Sequence, residues 1–216
     1  MRVVVVPILT RIHKPNILQH LAALSADDLW LRFGSPMRQS ALENYVNGID
    51  FSSDRALGIY DPELKLVGFT HVGIEPAKRC AELGISVSPE YRRRGYAEAM
   101  LRRALLHAAH LDLDQVYGYF RTANLPMMRL ARKAGFDIAI HGSEGVASKQ
   151  VEKTPPGKQR WADAARSIAS CVTRFKVVDA AFRGMRARAL ARLARKVWAG
   201  RRQMFRKIPA SQRPTV

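Results

Sequence analysis

The chain has 216 residues, 47% of them hydrophobic, and a formal net charge of +18; that length and apolar share support one ordinary domain with an extension and exclude disorder throughout. The charge is unevenly spread, because residues 150–216 hold 17 Lys/Arg against 3 Asp/Glu, a net +14 that leaves only +4 for residues 1–149. A nucleic-acid or membrane function read from charge therefore belongs to the C-terminal region alone, while two cysteines without C-x-x-C spacing, Cys80 and Cys171, exclude a disulfide scaffold and fit a reducing, cytoplasmic setting.

At the N-terminus Val3–Val6 is β-branched and reads as a strand or its start. The apolar run to Leu9 is broken by Pro7 and followed by Arg11 and Lys14, too short to span a bilayer and poor as a signal peptide. Pro15–Leu24 has helical apolar spacing at Ile17, Leu18, Leu21 and Leu24, and Ser25 then caps a second helix with Asp27 and Asp28 in its first turn. Ala41–Ile49 reads as a third helix, left by the loop Asp50-Phe-Ser-Ser-Asp54. The period then changes: Ala56–Tyr60 and Leu64–Ile74 alternate and are joined by Asp61-Pro-Glu63, which predicts a β-hairpin. Next come a strand at Glu82–Val87, a helix from Gly95 to about Leu111 with Met100, Leu101, Ala104, Leu105 and Ala108 on one face, and a strand at Gln115–Arg121. Asn124–Ala134 reads as a helix stopped by Gly135, and Phe136–Ile140 as the last clear strand. Such an order predicts an α/β fold, a central sheet covered by helices.

The stretch from Glu82 to Leu101 carries the most chemistry: an apolar strand, the basic turn Arg92-Arg93-Arg94-Gly95-Tyr96-Ala97, then an amphipathic helix. A turn of this kind aims backbone N–H groups and a helix N-terminus at one spot, the arrangement by which proteins hold phosphate. Gly95 and Ala97 leave room for a bound group to approach the main chain, and three guanidinium groups stand ready for phosphate oxygens. A Walker loop is excluded by the missing Gly-Lys-Ser/Thr and a dinucleotide fold by the single glycine.

The pattern Arg92-x-x-Gly95-x-Ala97 between strand and helix resembles the signature of the GNAT superfamily of acyl-CoA-dependent N-acyltransferases. A second stretch at the family's distance downstream, Asn124-Leu-Pro-Met-Met-Arg-Leu-Ala-Arg-Lys-Ala-Gly-Phe136, looks like its Asn-containing helix ending in Lys-x-Gly-Phe. The likeness covers roughly residues 15–141, includes Leu31-Arg-Phe33 as an acceptor-side segment, and is nearest in pattern to bacterial protein acetyltransferases. It implies a mostly antiparallel sheet flanked by helices and direct transfer of an acetyl group from acetyl-CoA, without a metal, to a primary amine on a protein lysine or a small molecule. It further implies that main chain at Arg92, Arg93, Arg94, Gly95, Tyr96 and Ala97 holds the pyrophosphate of coenzyme A, and that backbone at Ile85 and Val87 pairs with the pantetheine arm. Asn124 either touches that arm or caps its helix, roles that coexist.

An acceptor ammonium must lose a proton before its nitrogen attacks a thioester, and Glu82, at the head of the strand leading to the turn, is the candidate general base. An alternating strand also places a Glu on a solvent face. The sequence departs from the family at Ala131, where many members carry a Tyr that protonates the leaving thiolate; Tyr96, Tyr117 and Tyr119 are substitutes or packing aromatics. His107 and His110 lack the companions of a metal site, and His71 either faces the acceptor or is structural.

Val151–Lys158, with Pro155-Pro-Gly157, separates an acyltransferase domain at 1–150 from a basic extension at 159–216. In the extension Phe175, Val178, Phe182, Met185, Ala189, Leu193 and Val197 form a helical apolar stripe among arginines. Packing on the domain or on a twin subunit, an anionic membrane surface, and nucleic acid all suit that stripe. The alternative to an enzyme is a non-catalytic acyl-CoA-sensing module whose tail binds such a partner.

Overall fold

The computed structural model describes residues 4–152, so the basic extension expected over 159–216 lies outside the described residues. Seven strands form one sheet in the order β1-β2-β3-β4-β5-β7-β6. They are β1 (Ile8–Leu9), β2 (Arg55–Tyr60), β3 (Leu66–Glu75), β4 (Cys80–Val87), β5 (Gln115–Arg121), β6 (Asp137–His141) and β7 (Glu144–Gln150), with helices α1 (Lys14–Ala22), α2 (Ala26–Phe33), α3 (Gln39–Gly48), α4 (Tyr96–His110) and α5 (Leu125–Lys133). Every neighbouring pair is antiparallel except β4 and β5.

Local chemistry explains most boundaries. The Ser25 hydroxyl accepts from the Asp28 amide and Asn124 Oδ1 accepts from Met127 N–H, each satisfying a first-turn donor of α2 or α5. In the β2–β3 turn the Asp61 carboxylate accepts from Lys65 N–H at 2.8 Å, and Leu64 takes a positive φ of 63°. That turn delays β3 until Leu66, two residues later than alternation suggests.

Two expectations need correction. Residues 4–7 are not a strand: Pro7 offers only its carbonyl, which accepts from Gly58 N–H, and pairing with β2 starts at Ile8 opposite Leu57. Past Phe136–Ile140 a further strand exists, β7, which enters between β5 and β6 and pairs with both. Its run of Gly145, Val146, Ala147, Ser148 and Lys149 is too small and polar to announce a strand.

Apolar residues cover both faces of the sheet. Ile17, Leu21, Leu29, Leu42 and Val46 from α1–α3 pack with Phe69 and Ala56, while Leu101, Ala104 and Met128 from α4 and α5 pack with Val72, Leu83, Val116 and Phe120. Burying a side chain of that size stabilises by roughly 1.5–3 kcal/mol, and Phe69 and Leu57 are fully enclosed. The parallel ladder between β4 and β5 runs only from Cys80–Gln115 to Glu82–Tyr117, although both strands continue. Beyond Glu82 the β5-facing edge of β4 thus lacks a strand partner, and both cavities described below lie along that stretch.

Candidate functional site

The first cavity, about 420 Å³, lies where β4 runs into α4. Ile85, Ser86 and Val87 form one wall, the turn Arg92, Arg93, Gly95, Tyr96 and Ala97 its end, and Asn124, Met127 and Leu130 of the α5 segment the opposite wall. Arg93 and Gly95 both have positive φ, 62° and 78°. Gly95 occupies the N-cap position of α4 and no side chain caps that helix, so the first-turn amides of Tyr96, Ala97 and Glu98 are left for a ligand. Left-handed backbone just before a helix start gathers N–H groups into an anion-binding concavity.

The three arginines divide their work. Arg92 donates from Nε to the Val87 carbonyl at 3.0 Å and pairs with Asp28 at 2.8 Å, tying α2 to the turn. Burial pushes the Asp28 carboxyl up, but its bonds to Arg92 and Ser25 outweigh that and leave it below the ordinary carboxylate range. Arg94, expected at the phosphate site, does not line the cavity: it donates to the Glu90 carbonyl and lies over the Tyr91 ring. Arg93 has no side-chain partner among the described residues.

The wall beneath Ser86 is braced by His20. This imidazole is 1% exposed, its Nε2 meets the Ser86 hydroxyl at 2.9 Å, and its Nδ1 meets the Leu66 carbonyl at 3.2 Å. A carbonyl only accepts, so Nδ1 carries the hydrogen and Nε2 accepts from Ser86. Burial pushes this group down to about 4, so it is neutral at pH 7.

A second cavity of about 450 Å³ opens on the sheet face covered by α2 and α3. Glu82, exposed on β4, lines it with Arg32, Tyr45, His71, Tyr119 and the Arg121–Glu144 ion pair. Three of these groups form a chain with Asp54. His71 Nε2 lies 3.0 Å from Asp54, its Nδ1 lies 2.9 Å from the Tyr45 hydroxyl, and Arg32 Nη2 donates to that hydroxyl at 3.2 Å. Burial holds His71 below its ordinary value although Asp54 pulls the other way, so the ring is neutral: Nε2–H donates to Asp54 and Nδ1 accepts from Tyr45. Burial also pushes the Tyr45 phenol up. Leu31 and Arg32 line both cavities, which therefore meet on β4 between Gly84 and Ile85.

Among the residues singled out from sequence, Glu82 stands in one cavity, and Ile85, Val87, Arg92, Arg93, Gly95, Tyr96, Ala97 and Asn124 stand in the other. Asn124 is both helix cap and cavity wall. Ala131 is 1% exposed and packed in the core. Tyr119 reaches the Glu82 cavity, whereas Tyr96 stacks on Tyr91 beside the turn. Sequence reading missed Tyr45, Asp54, Arg121 and the position of Arg32. Among the described residues no group of three or more His, Cys, Asp or Glu stands where it could hold a metal ion, and no helix is long and apolar enough to cross a membrane.

Comparison with known proteins agrees with this geometry. The GNAT domain of S. lividans PAT superposes with a TM-score of 0.58 at 16% identity, covering 67% of this chain and 89% of that one. Spermidine N-acetyltransferase from Vibrio cholerae, in complex with CoA and spermine, gives 0.55 at 22% identity over 68% and 95% of the two chains. The ribosomal-protein-S18-alanine N-acetyltransferase from Escherichia coli gives 0.54 at 13% identity over 70% and 96%. A family model described as an acetyltransferase (GNAT) domain matches residues 8–137, and the chain belongs to that family of N-acetyltransferases.

Proposed function

We propose that this protein transfers the acetyl group of acetyl-CoA directly to a primary amine, with Glu82 as the general base. One observation supports the reading: a phosphate-type turn and a carboxylate-bearing cleft lie next to each other along β4, with Leu31 and Arg32 in the lining of both. The residues present suit coenzyme A, because Gly95 brings positive-φ backbone and uncapped amides to the cavity end and the edge of β4 past Glu82 has no strand partner towards β5. The first suits the pyrophosphate, the second an extended pantetheine arm.

Acetyl-CoA supplies the activated acyl carbon as a thioester. Glu82 takes the first proton from the acceptor ammonium, directly or through one water, so that its nitrogen can attack. The C–N bond forms as the C–S bond breaks, and the second proton lost by nitrogen neutralises the sulfur through water. Thiols ionise near a pKa of about 8.5, so the sulfur leaves as an anion with help from water alone; this suits a chain whose Ala131 is buried and carries no acid. Main-chain N–H groups on the open edge of β4 polarise the acyl oxygen.

Acetyl-CoA consumption across a panel of amines tests the reading, with coenzyme A binding followed separately by calorimetry. Turnover on at least one amine is the expected result. Binding of coenzyme A without turnover on any amine would leave an acyl-CoA sensor instead.

A further inference from the structure

Arg32 is a cation without an anion. Its Nη2 donates to Tyr45, its Cζ lies 4.9 Å from the Phe33 ring centroid, and its Nε is shut off from solvent with no hydrogen-bond partner among the described residues. Among the described residues it joins no ion pair, and neither does Glu82. The other two charges in the cleft, Arg121 and Glu144, pair with each other at 2.7 Å. Holding a half-buried guanidinium unpaired is unfavourable, and a bound carboxylate would relieve it.

The guanidinium is held in place. Tyr45 is fixed by His71 and His71 by Asp54, so the phenolic oxygen receives Nη2 from one direction only. A Cβ at residue 84 would overlap the Arg32 guanidinium, so the guanidinium keeps this position only while residue 84 is glycine. Arg32 therefore takes the place of a side chain at position 84, on the same face of β4 as Glu82 two residues earlier. Same-face neighbours on a strand are about 6–7 Å apart. Across that gap one unpaired carboxylate and one unpaired guanidinium face the cleft where both cavities meet.

Resting on the acetyltransferase reading above, we infer that the acceptor is a free α-amino acid, its carboxylate bound by Arg32 and its ammonium turned to Glu82. In an α-amino acid the nitrogen sits on the carbon next to the carboxylate, so anchoring the carboxylate at the junction delivers the nitrogen to the acyl carbon. A protein lysine has no carboxylate near its amine, and a polyamine brings only charge that Arg32 repels. This displaces the protein acceptor that the Leu31-Arg-Phe33 segment suggests.

The experiment compares kcat/KM for the twenty amino acids, for the primary amide and the decarboxylated amine of the best of them, for a lysine peptide and for spermidine. Wild type should favour the acid over its amide and amine by about 10- to 100-fold, the range of one charge-assisted interaction. Arg32→Met should bring that ratio close to one, mainly through KM, and Arg32→Lys should restore part of it. Gly84→Ala evicts the guanidinium without changing any charge and should have the same effect as Arg32→Met, with thermal melting and coenzyme A calorimetry confirming intact folds. An acid-to-amide ratio near one in wild type, a preference that survives both Arg32→Met and Gly84→Ala, or acetylation of only the peptide or spermidine would overturn the inference and leave the acetyltransferase reading standing. Absence of coenzyme A binding would overturn that reading itself.

Discussion

The two cavities that meet on β4 are built by opposite means. The one towards α4 draws its β4 wall and its end from two short stretches of sequence, Ile85–Val87 and Arg92, Arg93 and Gly95–Ala97, and what it offers a ligand is main chain arranged by Gly95 and a helix start. The one towards β5 is made of single side chains from α2, α3, β3, β4, β5 and β7, held by a hydrogen-bonded chain that crosses the tertiary structure from Asp54 to Arg32. A backbone site constrains a short string of sequence, because only certain residues permit the turn. A side-chain site constrains positions far apart, and each alone looks like an ordinary surface residue. The first suits a ligand shared by many enzymes, and the second suits one that differs between them.

The hardest test of that division is Glu82→Gln, which touches only the side-chain cavity. Turnover at saturating acceptor should fall by about 10²- to 10³-fold, in the range of a lost general base, while the Kd for coenzyme A stays put. Unchanged kcat would remove Glu82 from the mechanism, and a weakened Kd would show that the two cavities are not separable. Next in size is an effect of acid on the backbone side, through His20 behind Ser86. The folded-state value of about 4 lies below the roughly 6.5 of an unfolded histidine. The unfolded chain therefore binds the proton first, so this contribution is whole above pH 6.5 and is lost as pH falls towards 4. The size is about 3 kcal/mol at 1.36 kcal/mol per pK unit. Urea unfolding of wild type and His20→Gln between pH 4 and 7 checks it, because the variant should show a flatter dependence whatever its absolute stability.

Gly95→Ala is smaller and isolates backbone conformation. Nothing lies within 4 Å of where its Cβ would sit, so the variant meets no clash, only the strain of an L residue at a φ of 78°. That strain costs about 1–2 kcal/mol, and if the turn relaxes to escape it, coenzyme A affinity falls by roughly tenfold. Calorimetry and thermal melting together distinguish the outcomes: a lower Tm with unchanged affinity means that the turn holds its shape without needing glycine.

What was legible follows the same line. Cap and turn chemistry is local, so Ser25, Asn124, Gly95 and the Asp61-Pro-Glu63 turn announced α2, α5, α4 and the hairpin within a residue or two. The turn at Arg92–Ala97 stood out for the same reason, as one unbroken stretch between strand and helix, whereas Glu82 was singled out by family likeness and the need for a base, and the fold places it in the second cavity. β7 was not, because its strand character comes from insertion between β5 and β6 rather than from Gly145, Ala147 or Ser148 themselves. Val4–Val6 misled because β-branching speaks for strand, while Pro7 and the lack of a strand partner among the described residues decide against it. Arg32 stood inside a stretch noticed for its family likeness, yet its role depends on Tyr45 and Gly84, which only folding brings to it.

The smallest effects rank the arginines of the turn, which composition alone treats as equals. Arg92 is already neutralised by Asp28 and bonded to the Val87 carbonyl, and Arg94 is spent on Glu90 and the Tyr91 ring. Arg93 alone is without a side-chain partner among the described residues, and it lines the cavity. Arg93→Ala should therefore weaken coenzyme A by a few-fold, an effect that shrinks as salt rises because exposed charges about a Debye length apart are screened. Arg94→Ala should change the Kd by less than the error of calorimetry. Arg92→Ala should lower Tm slightly, an exposed pair being worth less than about 1 kcal/mol, with a smaller loss of affinity than Arg93→Ala. The reverse order, Arg94 above Arg93, would mean that the phosphates of the ligand lie on the outer side of the turn and not over the amides of α4.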